Sequence, residues 1–392
     1  MKNSGYIGAI LICFLMNMLD GMDVMVISYA APAISKEWLI TPQSLGIVFS
    51  AALLGMTIGA MLIAPLADKV GRKNMIMLSN VLMGLSVFST SWANSIEVLT
   101  IIRVISGIGI GCMLACTAAL TAESAPAKTK DFWVSFVMAG YPIGAVLSGM
   151  VAASVIPTSG WSFIFQIAGA CSFVSFPFVY FLLKESTEFM ANKQKSSSHT
   201  VKDLLHEEHR SSTLRLWVTI FLAFATLYFL TTWIPKLASV AGLSEKLAIY
   251  AGTVFNLGAF VGIVLQGYLS SKFGLQKTIA AFLFLTSLLM LIFGLFIGTN
   301  LVLVIFGLIG FGIQGGFVGL YSLAAKLYPT QIRATGIGGA VGVGRIGAII
   351  GPLLGGILIG IGLTMSSNFI IFAVPTLLGG VIVLLIKPST VS

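Results

Sequence analysis

Charge is what this sequence has least of. Only 9% of its 392 residues are Asp, Glu, Lys or Arg, against about a quarter in an ordinary soluble domain. With 57% hydrophobic residues and a mean hydropathy of +1.02, the chain has too little polar surface to cover a fold in water. Histidine is scarcer still: His199, His206 and His209 share one polar segment, so no zinc or histidine centre is on offer in the apolar part. The four cysteines (Cys13, Cys112, Cys116, Cys171) lie in apolar runs without metal-ligand spacing. They are expected to pack as small hydrophobes, and neither a disulfide framework nor a cofactor is implied. No nucleophile–base constellation points to an enzyme. The start of the chain carries one lysine, and its long apolar run holds two acids, which does not read as a cleaved signal peptide. An integral membrane protein is the class that remains.

What is present is a series of apolar runs, each near the ~20 residues that a helix needs to cross the hydrocarbon. They begin near Ile7, Leu45, Met75, Leu99, Phe132, Phe163, Leu216, Leu247, Thr278, Leu301, Ile332 and Asn368. The one long polar gap, Lys184–Thr213, divides them six and six. The expectation is an all-α membrane protein of twelve transmembrane helices in two pseudo-symmetric six-helix bundles, 1–183 and 214–392, joined by a loop over 184–213. Assigning alternate loops to opposite sides places most of the 22 basic residues on one side, against Lys36, Lys236 and Lys246 on the other. That bias predicts a cytoplasmic central loop and cytoplasmic termini. It also accounts for the net charge of +9 without nucleic acid. The halves echo each other: aligning Pro126 with Pro329 sets Gly107 on Gly310, Gly144 on Gly347 and Glu123 on Lys326. Paired halves of this kind are a transporter signature.

Between the second and third runs stands "PLADKVGRK" (Pro65–Lys73), and the fourth run opens with "RVISGIGIG" (Arg103–Gly111). Both resemble signatures of the major facilitator superfamily. "LDGMD" with Pro32, "WIP" at Trp233–Pro235, "FNLG" at Phe255–Gly258 and "GVGRIGAIIGPLLGG" around Arg345 resemble the aromatic acid:proton symporters within it. The resemblance spans all twelve runs. It implies the major facilitator fold and a bacterial inner-membrane importer, acting as a monomer, that carries protons with a small aromatic carboxylate such as a benzoate or hydroxybenzoate. Other organic anions (a dicarboxylate or a nicotinate-like acid) and a drug or metabolite efflux antiporter stand as alternatives. The second half departs from the loop signature: Ser271 and Leu275 stand where Asp68 and Arg72 align.

Four charges lie within the apolar runs: Asp20, Asp23, Arg103 and Arg345. Charge at that depth is costly unless paired or facing a watery cavity, and marks function by default. At 1.5 Å per residue, all four fall in the middle and outer part of the membrane, about 10–20 Å from the ends of their helices. The expectation is that they gather round one cavity. Asp20 and Asp23, three residues apart, share a helix face with Asn17 one turn earlier. Removal from water and a neighbouring acid both disfavour a charged carboxyl, so Asp20 and Asp23 are candidates for proton coupling. For Asp23 and Arg103 two readings stand, a static pair or part of the substrate site. The second half holds one acid, Glu245, in an outer loop, so Arg345 is the candidate for binding a carboxylate, a task suited to guanidinium. Asn17, Tyr228, Asn256, Gln314 and Tyr321 complete the substrate-binding candidates; Tyr141 and Trp233 are further aromatic possibilities, the latter an expected interface anchor. Asp68, Gly71, Arg72 and Lys73 of the loop signature, with Glu123 and Arg333, are candidates for conformational gating.

Overall fold

A computed structural model describes residues 5–126, 129–185, 207–299, 301–328 and 333–386. Among them there is no strand. The long helices are α1 (Gly5–Glu37), α2 (Pro42–Ile58), α3 (Arg72–Thr90), α4 (Ile96–Ser124), α5 (Gly140–Ser159) and α6 (Trp161–Leu182). They continue with α7 (Glu207–Val240), α8 (Glu245–Phe273), α9 (Leu275–Ile292), α10 (Val302–Leu327), α11 (Arg333–Gly360) and α12 (Met365–Leu384). A short helix, Lys130–Met138, leads into α5, and a π turn, Gly59–Ile63, extends α2. Eleven helices are long and apolar enough to cross a membrane. The other, α3, is 19 residues long, or about 28 Å. Its first turn is Arg72, Lys73 and Asn74, and Ser79 and Asn80 follow, so its composition is the most polar of the set. Residues 207–213, read from sequence as loop, are the first turns of α7.

The helix starts explain themselves locally. Thr41, Ser95, Ser244 and Thr364 each accept a hydrogen bond from the backbone N–H three residues on, capping α2, α4, α8 and α12. Beyond the caps, the helical ladder satisfies the backbone internally, the condition for crossing lipid.

The chain divides into two compact units, Met1–Ser196 and Ser197–Ser392. In the first, α1 packs on α5, α2 on α4, and α3 on α4 and α6. In the second, α7 packs on α11, α8 on α10, and α9 on α10 and α12. The same helix pairs recur, and so do the residues that make them close. A Cβ on Gly144 would collide with the carbonyl oxygen of Met18, and one on Gly347 with that of Phe221. Likewise Gly107 abuts the carbonyl of Ala52, and Gly310 that of Phe255. All four pairs are related by one constant offset along the chain. Without a hydrophobic force between helices in lipid, such close backbone contact is a principal source of packing energy. Gly71 and Gly274, again equivalent, adopt φ of 104° and 91° before α3 and α9, a conformation that side chains resist.

Of the cysteines, Cys13, Cys112 and Cys116 are buried as expected, whereas Cys171 is exposed on the outer face of α6. Trp233 is not an interface anchor: it is wholly buried and donates its indole N–H to the carbonyl of Pro352 at 3.0 Å, tying α7 to α11.

Gly144→Val is expected to destabilise the purified protein by about 1–3 kcal/mol or more through overpacking. Gly267→Ala, where a Cβ meets nothing within 4 Å, serves as the control and should leave thermal stability in detergent within about 0.5 kcal/mol of wild type.

Candidate functional site

In the first unit, the polar side chains of α1, α3 and α4 converge. Asp23 and Arg103 are 2% and 1% exposed. Arg103 donates from Nη1 to Asp23 Oδ1 at 2.9 Å and from Nη2 to Thr90 Oγ1 at 2.9 Å. Its guanidinium lies 5.7 Å from the centre of the Phe165 ring. The Ser106 hydroxyl donates to Asp23 Oδ2, so both carboxylate oxygens are engaged. This is a hydrogen-bonded buried ion pair, the geometry in which burial of two charges is tolerable. Asp20 is fully buried one turn earlier. Asn17, also buried, donates from Nδ2 to the Cys13 carbonyl and to Thr117 Oγ1, both at 3.0 Å. Gly21, between the acids, makes room for the neighbouring helix: a Cβ there would collide with the carbonyl of Tyr141 on α5.

The equivalent places in the second unit are filled differently. Phe293 and Phe306 stand where Thr90 and Arg103 do, with ring centres 5.1 Å apart. Thr226 stands where Asp23 does and accepts from Thr376 at 3.0 Å. The buried charge among the described residues of this unit is instead Arg345 on α11, 5% exposed. It lies within electrostatic reach of Tyr321 of α10, as does Tyr228 of α7. Around them lies an aromatic group. Phe224 is 4.7 Å from Phe317, 5.9 Å from Tyr228 and 6.4 Å from Tyr321, and Phe317 is 5.3 Å from Tyr321, all between ring centres. Phe224 occupies the place of Gly21, against Gly344, and so inserts a ring where the first unit lets two backbones touch. Phe224 and Phe317 were not among the sequence candidates. Gln314, on the same face of α10 as Phe317 and Tyr321, is 7% exposed. Asn256 is buried on α8 and donates to the Gly252 carbonyl at 2.9 Å.

At the ends of the helices, the loop signature builds a polar junction within the first unit. Arg72 holds Glu123 Oε1 through Nε and Nη2 at 3.2 and 3.1 Å, and donates from Nη1 to the Ala67 carbonyl at 2.9 Å. Lys73 Nζ donates to the Tyr180 carbonyl at the end of α6, 2.7 Å away. Glu185 was missed by sequence reasoning. Its carboxylate accepts the backbone N–H groups of Arg72 (2.9 Å) and Lys73 (3.2 Å), capping α3 where the helix dipole favours an anion. The second unit keeps one of these contacts without the charge: Gln276 donates to the carbonyls of Val383 and Ile386 at the end of α12. Of the gating candidates, the side chains of Asp68 and Arg333 lie outside the described residues; Gly71, Arg72, Lys73 and Glu123 meet in this junction.

Eleven membrane-crossing helices among the described residues, a repeated six-helix packing and buried charge at mid-helix describe a carrier, and the comparisons agree. The sequence matches the Major Facilitator Superfamily over residues 13–313 and 247–392. The chain belongs to that superfamily. It is a multi-pass membrane transporter and not an enzyme. Its fold is similar to that of a D-xylose–proton symporter, with a TM-score of 0.80 over 99% of each chain at 18% identity. Among curated relatives of the superfamily, it is 30% identical to the 4-hydroxybenzoate transporter PcaK of Pseudomonas aeruginosa, over 96% of this chain and 91% of that one. It is 33% identical to the gentisate transporter of Corynebacterium glutamicum, over 95% and 85%.

The Asp23–Arg103 pair sets a test by double-mutant cycle. Arg103→Met alone leaves a buried carboxylate without its partner and is expected to cost about 3–5 kcal/mol in unfolding experiments on the purified protein. Adding Asp23→Leu should recover most of that loss.

Proposed function

We propose that the protein is a proton-coupled symporter that imports a small aromatic carboxylate, benzoate- or hydroxybenzoate-like, across a bacterial inner membrane, with both termini cytoplasmic. The observation that carries this reading is the buried Arg345 within electrostatic reach of Tyr321, a ring that clusters with Phe224, Tyr228 and Phe317. A guanidinium takes a carboxylate bidentately, and offset or edge-on aromatic contacts take the ring. The relatives named for 4-hydroxybenzoate and gentisate carry acids of that chemistry, which supports the same class here.

The proton belongs, in this reading, on Asp20. Asp23 is neutralised by Arg103 and fully hydrogen-bonded, and acts as the fixed member of the pair. Asp20 shares the apolar surroundings and carries the exchangeable charge. With both acids ionised, the set Asp20, Asp23, Arg103 and Arg345 is neutral. One proton and one monocarboxylate restore neutrality on loading, so the protein carries no net buried charge across in either the empty or the loaded state. Loading with one partner alone leaves a charge in a medium that penalises it, and this penalty couples the two. Arg103, on this account, anchors Asp23 and does not touch substrate. The Arg72–Glu123 and Glu185 contacts act as a latch at the ends of α3, α4 and α6, made and broken during the cycle.

Labelled benzoates and hydroxybenzoates, a pyridine carboxylate and a dicarboxylate, offered to energised vesicles with and without an uncoupler, test the reading. Accumulation of an aromatic acid that rises as the outside is acidified and vanishes with uncoupler is the expected result. Preference for the pyridine acid or the dicarboxylate reassigns the substrate, and extrusion overturns import. Asp20→Asn should abolish accumulation driven by a pH gradient while retaining exchange of labelled for unlabelled substrate. Arg345→Lys, which keeps charge and loses the bidentate fork, should raise KM at least about tenfold.

A further inference from the structure

Asn17 has one polar atom that its surroundings leave unused. The side chain is 1% exposed. Its amide orientation is fixed by chemistry: the Cys13 carbonyl only accepts, so the atom 3.0 Å from it is the NH2 group. The same group donates to Thr117 Oγ1, whose own proton goes to the Met113 carbonyl at 2.9 Å. With both N–H bonds committed, the amide cannot turn. Its carbonyl oxygen, Oδ1, is buried without a hydrogen-bond partner among the described residues. A buried acceptor left unpaired costs about 1–3 kcal/mol, so its retention calls for a donor that arrives at some stage.

The helix supplies the donor. Asp20 lies three residues after Asn17 on the same face. Side chains on a helix lean toward its N-terminus, which carries the Asp20 carboxyl back over the turn that holds Asn17. An ionised carboxyl has only acceptors to offer and is repelled by the Oδ1 lone pairs; a protonated one is a donor. We propose that Asn17 is a positioning residue for the proton, its locked amide oxygen accepting a hydrogen bond from Asp20 in the protonated state and favouring that state over the ionised one. The inference rests on Asp20 being the proton carrier. It removes Asn17 from the groups that contact substrate.

The other charged and titratable groups on the elements packed against α1 are few. On α4 they are Glu97, Arg103, Cys112, Cys116 and Glu123, of which Arg103 is bound to Asp23 and Glu123 to Arg72. On α5 there is Tyr141, and on α6 there are Cys171, exposed on the outer face, and Tyr180. The described part of α2 has none, and the short helix before α5 carries Lys130 and Asp131, whose side chains lie outside the described residues. On α1 itself, Asp23 is paired, Cys13 is buried, Tyr29 donates to the Ala145 carbonyl, and Tyr6, Lys36 and Glu37 stand near its ends.

The readout is the pH profile of uptake. Asn17→Leu removes the acceptor, so protonation needs more acid and the midpoint of uptake against external pH moves down by about one unit. On the alkaline side of the midpoint, uptake falls about tenfold, and acidification restores it. Thr117→Val removes one of the two bonds that lock the amide and should shift the midpoint the same way by less, which serves if Asn17→Leu folds poorly. An equal loss at every pH in both variants, or an unmoved profile, overturns the proposal. If wild-type uptake itself shows no pH dependence, it is the symporter reading that fails, and the two outcomes are therefore distinguishable.

Discussion

A charge enters lipid only when a partner enters with it, and the contact between Asp23 and Arg103 is where this chain meets that condition most completely. Two carboxylate oxygens and two guanidinium nitrogens are satisfied by each other, by Ser106 and by Thr90, with the Phe165 ring beside them. The pair ties α1 to α4 and, through Thr90, to α3. In the proposed cycle, with Asp23 held by Arg103, Asp20 is the acid of the motif "LDGMD" that takes the proton, and the amide of Asn17, held at two points, is the acceptor proposed for it.

The two units are one scaffold used twice. Glycine-on-carbonyl contacts recur at a constant offset in α1–α5 and α7–α11, and in α2–α4 and α8–α10. On that common frame the interiors have diverged. Where the first unit holds Arg103 and Thr90, the second holds Phe306 and Phe293; where the first has Gly21, the second has Phe224. Buried acids are concentrated in one copy, and a cluster of aromatic rings with the buried guanidinium of Arg345 in the other. The contacts at the helix ends follow the same pattern. Lys73 and Gln276 reach equivalent carbonyls, at Tyr180 and Val383, and the charge beside Gln276 comes instead from Arg215, which donates to the Leu385 carbonyl.

Much of this was legible in the residues. Apolar runs are long and their breaks short, so the helices announce themselves, and four charges against an apolar background are conspicuous. The glycines of "RVISGIGIG" and "GAIIGPLLGG" suit close helix approach or bending at membrane depth, and Gly107, Gly111, Gly347 and Gly351 do lie against neighbouring backbone carbonyls. What escaped did so for physical reasons. Glu185 lies past the last apolar residue of its helix, and only the fold brings it to the N-terminus of α3. Phe224 and Phe317 are two of 27 phenylalanines, and nothing in the chain separates a ring that packs from one that faces a substrate. Whether Asp23 and Arg103 touch at all was undecidable from the residues, and the fold shows the contact, with Ser106 on Asp23 and Thr90 on Arg103. Trp233 looked like an interface anchor from its place near a helix end, but burial against Pro352 assigns it to the core.

The central claim is that the buried charges sum to zero whether the carrier is empty or loaded. Proteoliposomes in which the membrane potential is clamped by potassium and valinomycin, independently of the pH gradient, measure this directly. The account expects aromatic acid to accumulate with a pH gradient alone, at a rate unaltered by potential. Accumulation driven by potential with the pH gradient collapsed would contradict it.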